Sequence, residues 1–232
     1  MSCPDCFRGA VLEGEPTGVI AQSLDGAYFA SGGASNKRAI IFLTDIFGLP
    51  LKNSKILADS FAKHLGCDVW IPDLFAGALP SLIRNRPPVA AARTSSFVKK
   101  LQAEKKYERL GAIGYCFGGG VAIHLGATTD LFNSIVLAHP SPPSDAQLKA
   151  IKAPTAWACA EDDMAIKQPR LNEIEAFYES RKGKDDFVEY DIKVYKAHGF
   201  AARPNFAHPD VKEGFEKAFQ QAVNWFNKTI PA

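Results

Sequence analysis

Between Gly114 and Gly118 the chain reads Gly-Tyr-Cys-Phe-Gly. A cysteine at the centre of G-x-C-x-G has the spacing of a nucleophile elbow, the sharp strand-to-helix turn that lifts a reactive side chain clear of a sheet. The glycines have a steric reason, because the bend brings strand and helix so close that a side chain at either position collides with its neighbours. The same bend aims the amide of the following residue, Phe117, at a developing oxyanion. A helix N-terminus behind Cys116 lowers the cost of a thiolate. The plainer alternative is a small buried residue in a tight glycine turn.

Two further clusters follow apolar runs. Ala160-Glu161-Asp162-Asp163-Met164 comes directly after Thr155–Cys159, and Ala197-His198-Gly199-Phe200 comes just after a β-like run ending at Tyr195. A thiol needs a base to take or share its proton, and an imidazole needs a carboxylate to fix its tautomer and hold its charge. The chain order of cysteine, acid and histidine is the order that α/β-hydrolase topology imposes and other triad folds do not. Acidic residues after strands are also common as solvated turns, and Glu161 and Asp162 keep that alternative.

These residues need a scaffold, and the flanking sequence predicts one. Ala39–Leu43, Asp68–Ile71, Leu110–Tyr115, Ser134–Ala138, Thr155–Cys159 and Phe187–Tyr195 read as strands. The first five are short apolar runs, as strands covered on both faces require. Helical patterns fall over about Ser54–Leu65, Val89–Lys106, Val121–Ala127, Leu171–Arg181 and Val211–Asn227. Alternating strands and helices predict an α/β fold in one domain over residues 1–232, with a mostly parallel central sheet and helices on both faces. Ligands of such sheets sit beyond the carboxyl ends of the strands, where all three clusters fall. Phe75–Pro88, rich in proline and arginine, reads as a loop or lid.

Composition narrows the function classes. A chain of 232 residues can bury a sizeable core without metal or disulfide. The formal net charge of +2 gives no drive toward nucleic acid or an anionic membrane, and no apolar run is long enough to span one. Five scattered cysteines favour a reducing compartment. With no hydrophobic leader pattern at the N-terminus, a cytoplasmic protein is expected. There is no G-x-G-x-x-G or Walker pattern and no clustered zinc ligands, so neither a cofactor nor a metal is expected.

The sequence resembles the dienelactone hydrolases, a cysteine-dependent branch of the α/β-hydrolase superfamily. The resemblance rests on Thr44-Asp45-Ile46-Phe47-Gly48, Pro72-Asp73-Leu74-Phe75, Gly114-Tyr115-Cys116-Phe117-Gly118-Gly119, Glu161-Asp162-Asp163 and His198-Gly199-Phe200-Ala201. These motifs run in the family's order from about Ala39 to Ala201. The resemblance implies Cys116 as nucleophile, His198 as base and Asp163, at the fourth place of the A-E-x-D pattern, as orienting acid. It implies the amides of Ile46 and Phe117 as the oxyanion hole. Asp45 stands where the family has a glutamate that contacts the resting cysteine, one methylene shorter here. The implied substrate is a small ester or lactone, with carboxymethylene-butenolide opening to maleylacetate as the family reaction in aromatic compound degradation.

Family members acting on dienelactone hold its carboxylate with two arginines. Here Gly77 and Ala202 stand at those places. Arg203, Arg84 and Arg86 lie near enough in sequence to substitute, although Arg84 and Arg86 read as solvated surface charge. Arg203, His139 and Tyr115 are therefore the candidate substrate contacts, and the protein is expected to act as a monomer or homodimer. Cys3-Pro4-Asp5-Cys6 reads as a solvent-facing turn, Cys67 and Cys159 as buried thiols, His64 and His124 as helical structural residues, and His208 as the start of the last helix. Two rival functions use the same residues differently: a thiol-redox or sensor protein built on Cys116, and a binding module that kept the fold without catalysis.

Overall fold

A computed structural model describes residues 9–33, 37–77, 86–161, 163, 165–196 and 201–232. Cys3, Cys6, Arg84, Asp162 and His198 lie outside the described residues, as does residue range 78–85 of the expected lid.

The strands are β1 (Val19–Ala21), β2 (Ala27–Ala30), β3 (Arg38–Leu43), β4 (Asp68–Ile71), β5 (Arg109–Tyr115), β6 (Ser134–Ala138), β7 (Thr155–Ala160) and β8 (Tyr190–Tyr195). They form one eight-stranded sheet in the order β1-β2-β4-β3-β5-β6-β7-β8. β2 runs antiparallel to both of its neighbours, and every pairing from β4 to β8 is parallel. The helices are α1 (Lys52–Leu65), α2 (Pro87–Lys105), α3 (Phe117–Thr128), α4 (Asp145–Ala150), α5 (Gln168–Glu179) and α6 (Pro209–Thr229).

Successive strand residues point to opposite faces, so each strand feeds two cores. In β3, Ala39, Ile41 and Leu43 join the core under α2, α3, α4 and α5, whereas Ile40 and Phe42 join the core under α1 and α6. This two-sided burial is why the strands read as continuous apolar runs.

Several boundaries differ from the sequence expectation. β8 starts at Tyr190 rather than Phe187, because the Phe187 amide donates to Lys184 O in a turn and pairing with β7 begins at Thr155↔Tyr190. α3 starts at Phe117 rather than Val121, since Gly118–Gly120 conceal a helix whose first two glycines are dictated by close packing. The short strands β1 and β2 have no counterpart among the expected strands. Nor does α4, although Ser144 and Gln147 form a capping box, whose S-x-x-Q spacing is legible in sequence. His208 is the N-cap of α6, as expected.

Candidate active site

Cys116 occupies the turn between β5 and α3 with φ 51° and ψ −110°, a region that a non-glycine residue enters only under constraint. The constraint is visible on both sides. Its amide donates to Ala138 O at 3.0 Å, and its carbonyl accepts from the amides of Gly119 and Gly120 at 3.0 and 3.3 Å. A Cβ at Gly114 would lie 2.3 Å from Gly118 O, and one at Gly118 would lie 2.1 Å from Leu43 O. The two glycines of G-x-C-x-G are thus required by the approach of strand, helix and the neighbouring strand end. The result is a half-buried thiol at the N-terminus of a twelve-residue helix, a position that favours a thiolate.

The register places the other chemistry beside it. Leu43 pairs with Gly114, Tyr115 with Ala138, Ala138 with Ala158 and Ala160 with Tyr195. Asp45, Cys116, His139 and Asp163 therefore emerge in that order along the carboxyl rim of the sheet. The chain that leads to His198 leaves the next strand, β8. Among the described residues, the amides of Ile46 and Phe117 have no acceptor, which leaves two donors on the turns flanking Cys116.

Asp45 is 5 % exposed, and its Oδ1 accepts from the Phe47 amide at 3.0 Å while its carbonyl accepts from Gly48 N at 3.3 Å. These bonds shape the loop that presents Ile46. Burial pushes the Asp45 carboxyl above its ordinary value, opposed by the Phe47 amide and by the nearby His139 and Arg203. Asp163 is equally buried, and its Oδ1 accepts from the amides of Ala165 and Ile166 at 2.7 and 3.3 Å. One carboxylate oxygen is thereby fixed by the turn after β7, which sets the orientation of the other.

The three candidate substrate contacts have distinct settings. Tyr115 points into the core, where its ring stacks on Phe42 at 4.9 Å, and burial pushes its phenol up. His139 is 3 % exposed with φ 39°, its amide donating to Ala158 O at 2.9 Å. Burial drives its imidazole toward the neutral form, while Asp163 and Asp45 both pull the other way. Arg203 places its guanidinium 4.3 Å from the Phe47 ring centroid and donates to Gly9 O at 2.8 Å. Arg86 is exposed, as expected of a surface charge.

Asn53 belongs to no motif legible in the sequence. It is buried on α1, accepts from Leu12 N at 2.9 Å, and donates to Ala10 O and Ala202 O, each at 3.0 Å. Its signal was a polar residue at helical spacing with the core residues Leu57 and Phe61. Among the described residues no group of three His, Cys, Asp or Glu side chains is placed to hold a metal ion. No described helix is long and apolar enough to cross a membrane.

An eight-stranded sheet in this order, with a strained residue at the turn after β5, is the α/β-hydrolase fold. It is shared with the dienelactone hydrolase of Anabaena variabilis at a TM-score of 0.65 and 16 % identity, over 93 % of this chain and 98 % of that one. Residues 24–230 match the dienelactone hydrolase family, and the chain belongs to it. It is similar to hydrolase pyvD of Aspergillus violaceofuscus, at 30 % identity over 97 % of this chain and 96 % of that one. It is also similar to the human carboxymethylenebutenolidase homolog, at 26 % identity over 87 % and 86 % of the two chains. The protein is accordingly a hydrolase that acts on carboxylic ester bonds, lactones included.

Proposed function

We propose that the protein hydrolyses small activated esters or lactones without a cofactor, through Cys116 as nucleophile, His198 as base and Asp163 as orienting acid. The carrying observation is the backbone of Cys116, held at φ 51° at the head of α3 between two amides without acceptors among the described residues. A thiolate at this position attacks the acyl carbon. The carbonyl electrons move to oxygen, which the amides of Ile46 and Phe117 stabilise. Collapse breaks the C–O bond, and the leaving alkoxide or enolate takes its proton from the His198 imidazolium. His198 then removes a proton from water, which attacks the thioester and releases the carboxylic acid and the Cys116 thiolate. Asp163 fixes the imidazole tautomer and holds its charge.

A thiolate is a strong nucleophile at modest proton cost and suits good leaving groups, which makes activated esters and enol lactones better substrates than amides. Opening of carboxymethylene-butenolide to maleylacetate is the specific reaction the family suggests. With Gly77 and Ala202 where dienelactone-hydrolysing members have arginines, neutral esters should be accepted as well. The redox alternative is less favoured. Cys67 and Cys159 are both buried, with thiols pushed up to about 11 and about 12, so neither suits a resolving role toward Cys116.

A panel of p-nitrophenyl esters and enol lactones tests this reading. Cys116→Ala and His198→Ala should each lower kcat roughly 10⁴-fold or more, whereas Asp162→Asn should leave it nearly unchanged. Turnover by His198→Ala at the wild-type rate would refute the triad.

A further inference from the structure

Gly9–Leu12 lies more than thirty residues from any residue of the site in sequence, yet it is tied to both sides of it. The Ala10 amide donates to Arg203 O at 3.3 Å, and the Arg203 guanidinium returns a bond to Gly9 O at 2.8 Å. Asn53, 1 % exposed, makes three bonds at once, accepting from Leu12 N and donating to Ala10 O and Ala202 O. The packing at the crossing admits no side chain, since a Cβ at Gly9 would lie 2.4 Å from Arg203 Cβ and 2.5 Å from Arg203 O. Ala202 and Arg203 follow His198 by four and five residues. The same guanidinium covers the ring of Phe47, whose amide is bonded to Asp45 in the loop that presents Ile46.

We infer that Gly9–Leu12 is a strap that, through Asn53 and Arg203, fixes the chain after His198 against the Asp45–Gly48 loop. Arg203 and Asn53 are positioning residues for one oxyanion donor and for Ala201–Arg203, the segment that follows the proposed base in sequence. The inference rests on the hydrolase reading above. Arg203 suits this role because its flat guanidinium stacks on an aromatic ring while its edge donates to a carbonyl. A lysine keeps the charge but supplies neither the planar stack nor the forked edge. A buried asparagine with three bonds fixed to two distant segments resists sliding of either one, because a shift strands buried polar groups. Small misplacement of a base or an oxyanion donor costs turnover more than binding.

The test uses the full chain with Gly9→Ala, which displaces the strap without altering charge, and Arg203→Lys, which retains charge without the fork. Both are assayed on p-nitrophenyl acetate and on an ester bearing a free carboxylate, alongside thermal melting and the pH profile of Cys116 alkylation by iodoacetamide. The expected result is a kcat lower by about 10- to 100-fold on both esters, with KM nearly unchanged and the alkylation profile displaced. If Arg203→Lys raises KM for the carboxylate ester alone and Gly9→Ala behaves as wild type, Arg203 is a substrate-binding group and the strap has no catalytic role. If both variants melt earlier yet keep wild-type kcat and alkylation profile, the strap is structural only and the inference is overturned. Cys116→Ala run in parallel separates the two levels: ester turnover by that variant defeats the hydrolase mechanism, whatever the strap variants do.

Discussion

At the amino rim of the sheet, Arg38 opens β3 with its guanidinium bonded to Ile230 O at 2.7 Å, Leu65 O at 2.5 Å and Asn227 Oδ1 at 3.0 Å. Asp68 opens β4 and accepts from Tyr107 at 2.7 Å, and Ser134 of β6 accepts from Thr229 at 2.7 Å. The carboxyl rim of the same strands holds Asp45, Cys116, His139 and Asp163. There two non-glycine residues, Cys116 and His139, have positive φ, and burial shifts the proton affinities of Asp45 and His139 away from their ordinary values. Both rims bury polar side chains. At the amino rim these side chains bind helix ends and the chain's C-terminal residues to the sheet, which serves stability. At the carboxyl rim, the strained backbones of Cys116 and His139 gather around one thiol, and such costs persist where function requires them.

If this division is right, substitutions at the two rims should affect different observables. Among the buried polar side chains of the two rims, the largest effect is expected from Asp163→Asn. This change should lower kcat roughly 10²- to 10⁴-fold through loss of charge and tautomer control, with little change in melting temperature, as ester assays and calorimetry would show. A melting temperature that falls in step with activity would place Asp163 with the structural polar groups instead. Arg38→Met is the counterpart at the amino rim. It strands the carbonyls of Ile230 and Leu65 and should cost about 2–4 kcal/mol in urea unfolding, while kcat of the folded enzyme stays at the wild-type level.

The smallest effect should come from Asp45→Asn, with a stabilising sign. The folded-state carboxyl lies above its ordinary 3.8. Its stability contribution is therefore fully present below pH 3.8 and lost as pH rises through the folded value. An amide can still accept from the Phe47 amide but has no charge to desolvate. The variant should be more stable than wild type at pH 7 by roughly 0.5–2 kcal/mol, and the gain should vanish below about pH 3.8. Denaturant titrations at several pH values give the sign directly. A loss of stability at pH 7 would mean that the Asp45 charge is compensated in the fold.

Much of the scaffold was legible because both of its cores lie against the same strands. Ala39–Leu43, Asp68–Ile71 and Ser134–Ala138 stand out as uninterrupted apolar runs, and they proved to be sheet strands with boundaries within a residue of those expected. β1 and β2 were hidden by their shortness, and by exposure on the edge strand, where Val19 and Ile20 face solvent. The start of α3 was hidden by three consecutive glycines, which argue against a helix by propensity, although at Gly118 and Gly119 Leu43 O and Pro140 leave no room for a Cβ. Here tertiary contact overrode local preference.

The order of the chemistry is written in the chain: a cysteine in a glycine elbow, then an acid, then a histidine, each after its own strand. Residue type and strand alternation are local properties, so they can be read along the chain. Only the tertiary structure decided that Cys116 is held in a strained backbone, that Asp45 and His139 are desolvated neighbours, and that Asn53 and Arg203 join the N-terminal segment to two loops of the site. These depend on close approach between residues as much as 194 positions apart, and no local pattern encodes which distant surface a side chain will meet.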